Sequence, residues 1–381
     1  MKKLIISIFV LVCMMSTTNH AFGLNPDEKY VYKGEPARIG IVGLSHAHVH
    51  GILNREKFGD IEIVGIAEPN RDLAERYSKQ YGFPMSMVYN TIDEMLDATH
   101  PEAVAGFNMI HEHVDIVEHC APRGIHVMVE KPLASTWEEA QKMIALAKQY
   151  NIQLLTNYET TWYGSNLEAY KLVENDKKIG DIRRIIFHTG HPGPIEIGCN
   201  IEFLDWLTDP IKNGGGALVD FGCYGANIAT WLMKGETPTT VTCVTQQIKP
   251  NLYPKVEDDA TIILTYPQAQ VIIQASWNWP YNRKDMEVYG KTGYVICKNS
   301  RDMLLMTNEK EGAKPMTAQP LPNGIQEPFA FFANVLKQNY VVEPYSLSSL
   351  ENNEIVVQIL EAAKHAAKTG ETVVWKDFFE K

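Results

Sequence analysis

Arg38-Ile39-Gly40-Ile41-Val42-Gly43-Leu44-Ser45-His46-Ala47-His48 is the stretch on which the fold is read. Residues 38–43 have the composition of a short buried strand, and Gly43 ends it where the chain must turn sharply. Working outward, the spacing predicts a helix near 51–58, a strand over 61–67 ending at Glu68, and a helix over 71–81 stopped by Gly82. Thr91 and Glu94 frame a capping box, a strand follows over 103–107, and a helix spans 113–121 before Pro122 and Gly124. A strand over 125–129 runs into Glu130-Lys131-Pro132. Thr136 and Glu139 open a helix to about Tyr150, and a strand over 152–156 closes the series.

Strands alternating with helices through short connections require parallel strands and crossover helices on both faces, a doubly wound Rossmann sheet of α/β class. Ligands of such sheets lie at the carboxyl ends of the strands. Gly43, Glu68, Asn108 and Lys131 all fall there and outline a crevice. From 157 the rhythm changes. A helix over 165–175 precedes β-rich runs at 182–189, 240–247, 260–266, 269–277, 286–289 and 294–298, and a final helix covers 352–368. Few helices separate these runs, so the second domain is expected to be α+β with a mostly antiparallel, open sheet. The expected division is 1–23 signal peptide, 24–156 dinucleotide-binding domain and 157–381 substrate-binding and oligomerisation domain.

A chain of 381 residues with 45% apolar content suits two packed domains. The 35 basic and 46 acidic residues give a net charge of -11, with no basic cluster, which argues against a nucleic-acid partner. Lys2 and Lys3 precede an apolar run over 4–15 and then Ala21-Phe22-Gly23, the form of a cleaved signal peptide. The run is too short for a membrane anchor. Val12 before Cys13 disfavours a lipoprotein. The expectation is a periplasmic or secreted protein. Cys120, Cys199, Cys223, Cys243 and Cys297 are scattered and odd in number, so neither a disulfide framework nor a structural zinc site is expected.

A dinucleotide fold asks for three small residues after its first strand, for the tight turn, the approach of the pyrophosphate and the packing of the helix. Gly43 supplies the first; Ser45 and His48 replace the second and third. Glu68 stands at the spacing where a carboxylate accepts hydrogen bonds from the adenosine ribose. Its charge favours NAD over NADP, although Arg71 nearby keeps NADP open. His46, Asn108, His113 and Glu130 complete the set assigned to the cofactor. His46, His48, His50, His111 and His113 could together suggest a metal. An alternating trio cannot all point one way, and no carboxylate is interleaved, so we read them as packing the loop or lining a sugar pocket and assign no metal.

With Glu130-Lys131-Pro132 after a strand, Gly214-Gly215-Gly216-Ala217-Leu218-Val219-Asp220-Phe221-Gly222-Cys223-Tyr224, Asp258-Asp259 and Ser276-Trp277, the chain resembles the Gfo/Idh/MocA oxidoreductases. The resemblance covers nearly all of the chain after residue 23. It implies that Lys131 is the catalytic lysine at the reacting hydroxyl, that Asp220 is a second polar group of the site, and that Tyr224 takes a position held by histidine in many members. Tyrosine there points to the glucose–fructose oxidoreductase and dihydrodiol dehydrogenase branch.

Oxidation of a secondary alcohol needs a base at the hydroxyl and a hydride sink, which a nicotinamide supplies. A phenol titrates near ~10. An ammonium at Lys131 is expected to lower the Tyr224 pKa and make it a base. Asn157, Trp162, His188 and His191 are softer candidates for the sugar pocket. Export raises the problem of free NAD outside the cytoplasm, which a retained cofactor would solve. The leading expectation is an NAD-retaining oxidoreductase acting on a sugar or glycoside. A glycoside hydrolase or lyase using transient NAD redox or a histidine-bound metal is the second, and a cofactor-free sugar-binding relic the third. A homo-oligomer through the open sheet is a further expectation.

Overall fold

The computed structural model describes residues 32–55 and 57–380; the expected signal segment lies outside the described residues. The first half forms strands β1 (Ala37–Val42), β2 (Ile61–Ala67), β3 (Val88–Tyr89), β4 (Ala103–Gly106), β5 (His126–Glu130) and β6 (Leu154–Asn157). They make an all-parallel sheet in the order β3-β2-β1-β4-β5-β6, so the chain winds outward from β1 in both directions. Helices α1 (Val49–Leu53), α2 (Arg71–Tyr81), α3 (Ile92–Thr99), α4 (His113–Cys120) and α5 (Trp137–Tyr150) connect them.

Local chemistry sets the helix ends. Asn70 accepts the Leu73 N–H at the start of α2, and Gly82 ends it at φ 79°. Thr136 and Glu139 form the full reciprocal capping box of α5. At α3 only half of the expected box forms: Thr91 accepts the Glu94 N–H, while the Glu94 carboxylate takes the N–H of Asn90. Helix α1 starts earlier and is shorter than its expected span, because His48 is already helical at its N-cap and Asn54 ends it.

The second half adds β7 (Ile182–Gly190), β8 (Thr240–Gln246), β9 (Asp259–Thr265), β10 (Gln270–Ser276), β11 (Arg283–Gly290), β12 (Tyr294–Cys297), β13 (Asp302–Met306), β14 (Lys314–Thr317) and β15 (Val373–Val374). Their order is β14-β13-β12-β11-β7-β10-β9-β8-β15, with β7 and β10 parallel and every other pairing antiparallel. Helices α6 (Gly164–Tyr170), α7 (Ile201–Leu207), α8 (Ala217–Leu232), α9 (Pro328–Leu336), α10 (Leu350–Thr369) and α11 (Trp375–Phe379) accompany them. One face of the sheet packs on α8 and α10. Gly225 lets α8 approach: a Cβ there would lie 2.6 Å from Ile273. Because α8 is buried nearly all round, its sequence carries no helical stripe, and the sequence pattern did not show it.

The expected boundary at 156/157 is crossed by α9, whose Phe329 and Phe332 join the core of the first sheet with Ile39 and Ile41. All five cysteines from Cys120 onward are free. Among the described residues no helix is long and apolar enough to cross a membrane.

Where β7 ends, a glycine decides which side chains reach the crevice. Side chains alternate across a strand. Thr189 faces α8, donating its hydroxyl to the Phe221 carbonyl at 3.0 Å, so His188 points to the other face. Gly190, at φ 150°, then lets the chain turn; a Cβ there would sit 1.8 Å from the Ser276 carbonyl oxygen. Gly190→Ala is expected to cost at least about 1–3 kcal/mol, read as a lowered midpoint of chemical denaturation. An unchanged midpoint would show that the β7–β10 junction tolerates the methyl group.

Candidate active site

Strand β5 delivers Glu130 and Lys131 to the crevice, and the first turn of α8 delivers Asp220 from the second sheet's side. Both Lys131 and Asp220 are buried. The Lys131 ammonium donates to the Asp220 Oδ1 carboxylate oxygen and, at 3.0 Å, to the Asp220 carbonyl. Trp277, just past β10, donates its Nε1–H to Asp220 Oδ2 at 2.9 Å. Burial opposes both charges, yet pairing prevails: Asp220 raises the Lys131 pKa, and Lys131 with His191 lowers that of Asp220. The lysine is therefore an ammonium at neutral pH.

Tyr224 lies one turn along α8, with Lys131 Nζ 5.1 Å from its ring centroid. The contact is with the ring face, which is attractive but does not stabilise phenolate as a bond to oxygen would. The expected lowering of the Tyr224 pKa is corrected: burial raises it well above 10.0, and Glu159, Cys223, Asp220 and Glu130 push the same way. Tyr224 is a neutral phenol here.

The sequence reading missed Lys284 and Glu159. Lys284 pairs in register with Thr189, so it shares the crevice side of the sheet, and its Nζ sits 5.5 Å from the Tyr224 ring centroid. It donates to Glu159 at 2.5 Å. Nothing in the alternating polar pattern of β11 distinguishes Lys284 from a solvated charge. His191 stands nearby with its ring edge-on to Phe221 at 4.8 Å. Its Nδ1 accepts the Gly193 N–H at 3.0 Å, which leaves the proton of the neutral ring on Nε2. Burial, with Lys284 and Lys131, lowers its pKa despite Asp220, so it is an uncharged donor.

Two substrate candidates lie elsewhere. His188 bonds Asp285 at 2.9 Å on the opposite face of the sheet, because strand alternation turns it away. Trp162 does not face Lys131. It packs on Phe331, lines a separate cavity of about 520 Å³, and donates Nε1–H to Asn157. Asn157 in turn donates to Glu130 Oε1 at 2.8 Å, so both residues orient Glu130.

Of the cofactor candidates, Gly43, Ser45, Glu68 and Asn108 line a cleft of about 460 Å³, whereas His46, His113, Glu130 and Lys131 do not line it. Gly43 adopts φ 79°, and a Cβ there would lie 2.7 Å from Asn108 Cβ. Glu68 is buried and accepts the N–H groups of Leu44 and Asn70, each at 2.8 Å. Glu68 also lines the cleft. Asn108 Oδ1 is buried without a partner among the described residues, a free acceptor for a hydroxyl. Glu112, Asp115, Glu202 and Asp205 also line the cleft, together with Lys212, and Arg71 turns aside to the Val88 carbonyl. This lining fits a ribose diol and repels a ribose phosphate, so the residues fit NAD better than NADP.

The phosphate loop departs from three glycines without closing the cleft. His48 swings out to Glu130, Nδ1 to Oε2 2.8 Å, instead of wedging between helix and sheet. His46 is buried against Phe203 and Trp206 of α7, at 4.9 and 5.5 Å between centroids, and is held neutral chiefly by burial, with the Lys131 ammonium acting in the same direction. His50 faces away, toward Tyr77 and Tyr81. His113 bonds the Leu133 carbonyl through Nδ1, and its pKa is pushed down to about 4, chiefly by burial. No carboxylate is interleaved among these histidines in the sequence; β5 supplies one to His48 from eighty-two residues away.

Residues 37–158 match the family profile described as oxidoreductase family, NAD-binding Rossmann fold, and residues 167–296 match the GFO/IDH/MocA C-terminal domain. Among curated relatives, trans-1,2-dihydrobenzene-1,2-diol dehydrogenase of Xenopus tropicalis is 24% identical over 313 residues, 80% of this chain and 89% of the relative. Myo-inositol 2-dehydrogenase of Thermotoga maritima is 20% identical over 278 residues, 72% of this chain and 79% of the relative. The fold is shared with the aldose-aldose oxidoreductase of Caulobacter crescentus, solved with glycerol, at a TM-score of 0.71 and 23% identity over 89% of this chain and 99% of that one. The two profiles, together with the doubly wound sheet and the buried lysine at its carboxyl edge, place this chain in the Gfo/Idh/MocA family of NAD-binding oxidoreductases.

Proposed function

We propose that this protein oxidises a secondary hydroxyl of a sugar or glycoside outside the cytoplasm and keeps its NAD bound through the catalytic cycle. The observation that carries the reading is the buried Lys131–Asp220 pair at the carboxyl end of β5, next to the NAD-compatible cleft. Relatives named for a diol, a cyclitol and an aldose support a polyhydroxylated substrate. The N-terminal pattern of Lys2, Lys3 and the apolar run supports export, and export supports cofactor retention.

NAD, when bound, supplies the hydride acceptor. The protein's own groups handle the proton. In hydroxyl oxidation, Lys131 acts from its deprotonated form: Nζ accepts the proton of the substrate oxygen and becomes the ammonium that Asp220 Oδ1 holds. In the reverse direction the ammonium protonates the carbonyl oxygen directly. His191 Nε2–H and the Tyr224 hydroxyl are neutral donors that hold the substrate oxygens. Trp277 keeps Asp220 aimed at the lysine.

Lys131→Ala is expected to lower kcat by about 10²–10⁴ while leaving the fold intact. Turnover at the wild-type rate would remove Lys131 from the chemistry. Denaturing the purified protein is expected to release close to one NAD(H) per chain into the supernatant, measured enzymatically; a nucleotide-free supernatant would overturn retention.

The pH profile follows from the pair. Asp220 holds Lys131 protonated, so oxidation is expected to accelerate with pH through a midpoint above the ordinary lysine value of 10.5. Asp220→Asn removes the charge that raises this pKa and leaves the burial that lowers it. The midpoint of kcat against pH is expected to fall. A midpoint that stays put would mean that another group titrates.

A further inference from the structure

Three side chains beside the catalytic lysine form a cluster that hydride chemistry does not require. His46 lies in the turn after β1, His48 caps α1, and Glu130 ends β5. One nitrogen or oxygen from each lies within 4.8 Å of the others. His46 and Glu130 are each 1% exposed, and the His48 side chain is 37% exposed.

Each of the three is oriented by a contact behind it. The chain from Trp162 to Asn157 to Glu130 Oε1 leaves Oε2 directed at His48 Nδ1. The His48 backbone N–H donates to His46 Nδ1 at 3.1 Å, and Phe203 and Trp206 wedge the His46 ring. With Nδ1 accepting, the proton of the neutral His46 ring sits on Nε2, so ligation by His46 displaces either that proton or the His48 N–H bond. Supporting contacts of this kind fix ring and carboxylate orientation in metal sites. A fourth imidazole, His113, is fully buried with Nε2 unpartnered, near enough to His46 and Glu130 to interact with them electrostatically.

Charge completes the argument. A buried carboxylate needs a cation. The Lys131 ammonium is committed to Asp220, and only His48 and Asn157 are hydrogen-bonded to the Glu130 carboxylate among the described residues. We propose that His46, His48 and Glu130 bind one divalent transition-metal ion of the zinc type. Two imidazoles and a carboxylate are a donor set of catalytic zinc sites, and three protein ligands leave one position for water or a substrate oxygen. Tetrahedral bonds of about 2.0–2.2 Å put donor atoms roughly 3.4 Å apart. The His48–Glu130 contact of 2.8 Å therefore opens slightly and the wider separations, all within 4.8 Å, close, a rearrangement that the partly exposed His48 ring can make. An ion here would polarise a hydroxyl or carbonyl oxygen one residue from Lys131.

The test is cobalt(II) titration of the full chain after removal of metal by a chelator and desalting, without NAD or sugar. The expected result is one Co²⁺ per chain, a visible ligand-field spectrum of tetrahedral intensity, and displacement by Zn²⁺. His48→Asn and Glu130→Gln are each expected to weaken binding at least about 100-fold, and Asn157→Ala about 10–100-fold through the lost orientation of Glu130. Thermal denaturation checks that each variant folds; should Glu130→Gln fail, His48→Asn decides. Absence of stoichiometric binding by the wild type, or binding that His48→Asn leaves unchanged, would overturn the proposal. Because the spectrum is read without cofactor, such a failure would leave the oxidoreductase reading standing.

Discussion

A buried ion pair, Lys131 with Asp220, is the contact on which the rest of the site depends. It joins the end of a strand in the first sheet to the first turn of a helix packed on the second. Removing two charges from water is expensive, and leaving either one alone in the interior costs about 3–5 kcal/mol. The pair is therefore stable only while the two halves of the molecule stay docked. The N-terminal turn of α8 favours a carboxylate there, and the Trp277 indole fills the second Asp220 oxygen. An active site built across this junction is held in register by electrostatics that neither half satisfies alone.

Around that pair, the crevice sorts its charges. The cofactor end is acidic, with Glu68 braced by two backbone N–H groups, and accepts sugar hydroxyls rather than phosphate. The reaction end is lined by Lys131, Lys284, His191 and the ring of Tyr224. Between them stands the altered phosphate loop. His48 is compatible with a helix packed on the sheet because its ring leaves that interface for Glu130. His46 is compatible because α7 of the second half covers it. The loop's departures from glycine are thus matched by residues distant in sequence.

The first sheet was largely legible. Short apolar runs separated by capped helices specify parallel strands, and Gly43, Glu68, Asn108 and Lys131 mark their ends on the page as they do in space. The second half was legible as β-rich, but α8 was not visible, because a helix buried on every side has no polar stripe to set its phase. Of the candidate reacting groups, Lys131 and Asp220 were named from the family resemblance and do meet. Lys284 was missed because its partner, Glu159, lies across the crevice from another segment. His188 was misplaced because one residue of strand alternation, followed by the Gly190 turn, sends it and His191 to opposite sides.

The sequence by itself determined what depends on neighbours along the chain: the alternation of strand and helix, the caps, the glycine at the first turn and the order of the strand ends. Tertiary structure alone decided what depends on distance through space. It made Tyr224 a neutral phenol rather than a base, set His48 against Glu130, and turned Trp162 from a sugar platform into a brace for that carboxylate. Ionisation and side-chain direction follow from burial and from the nearest charge, and both are set by packing between segments that the linear order keeps far apart.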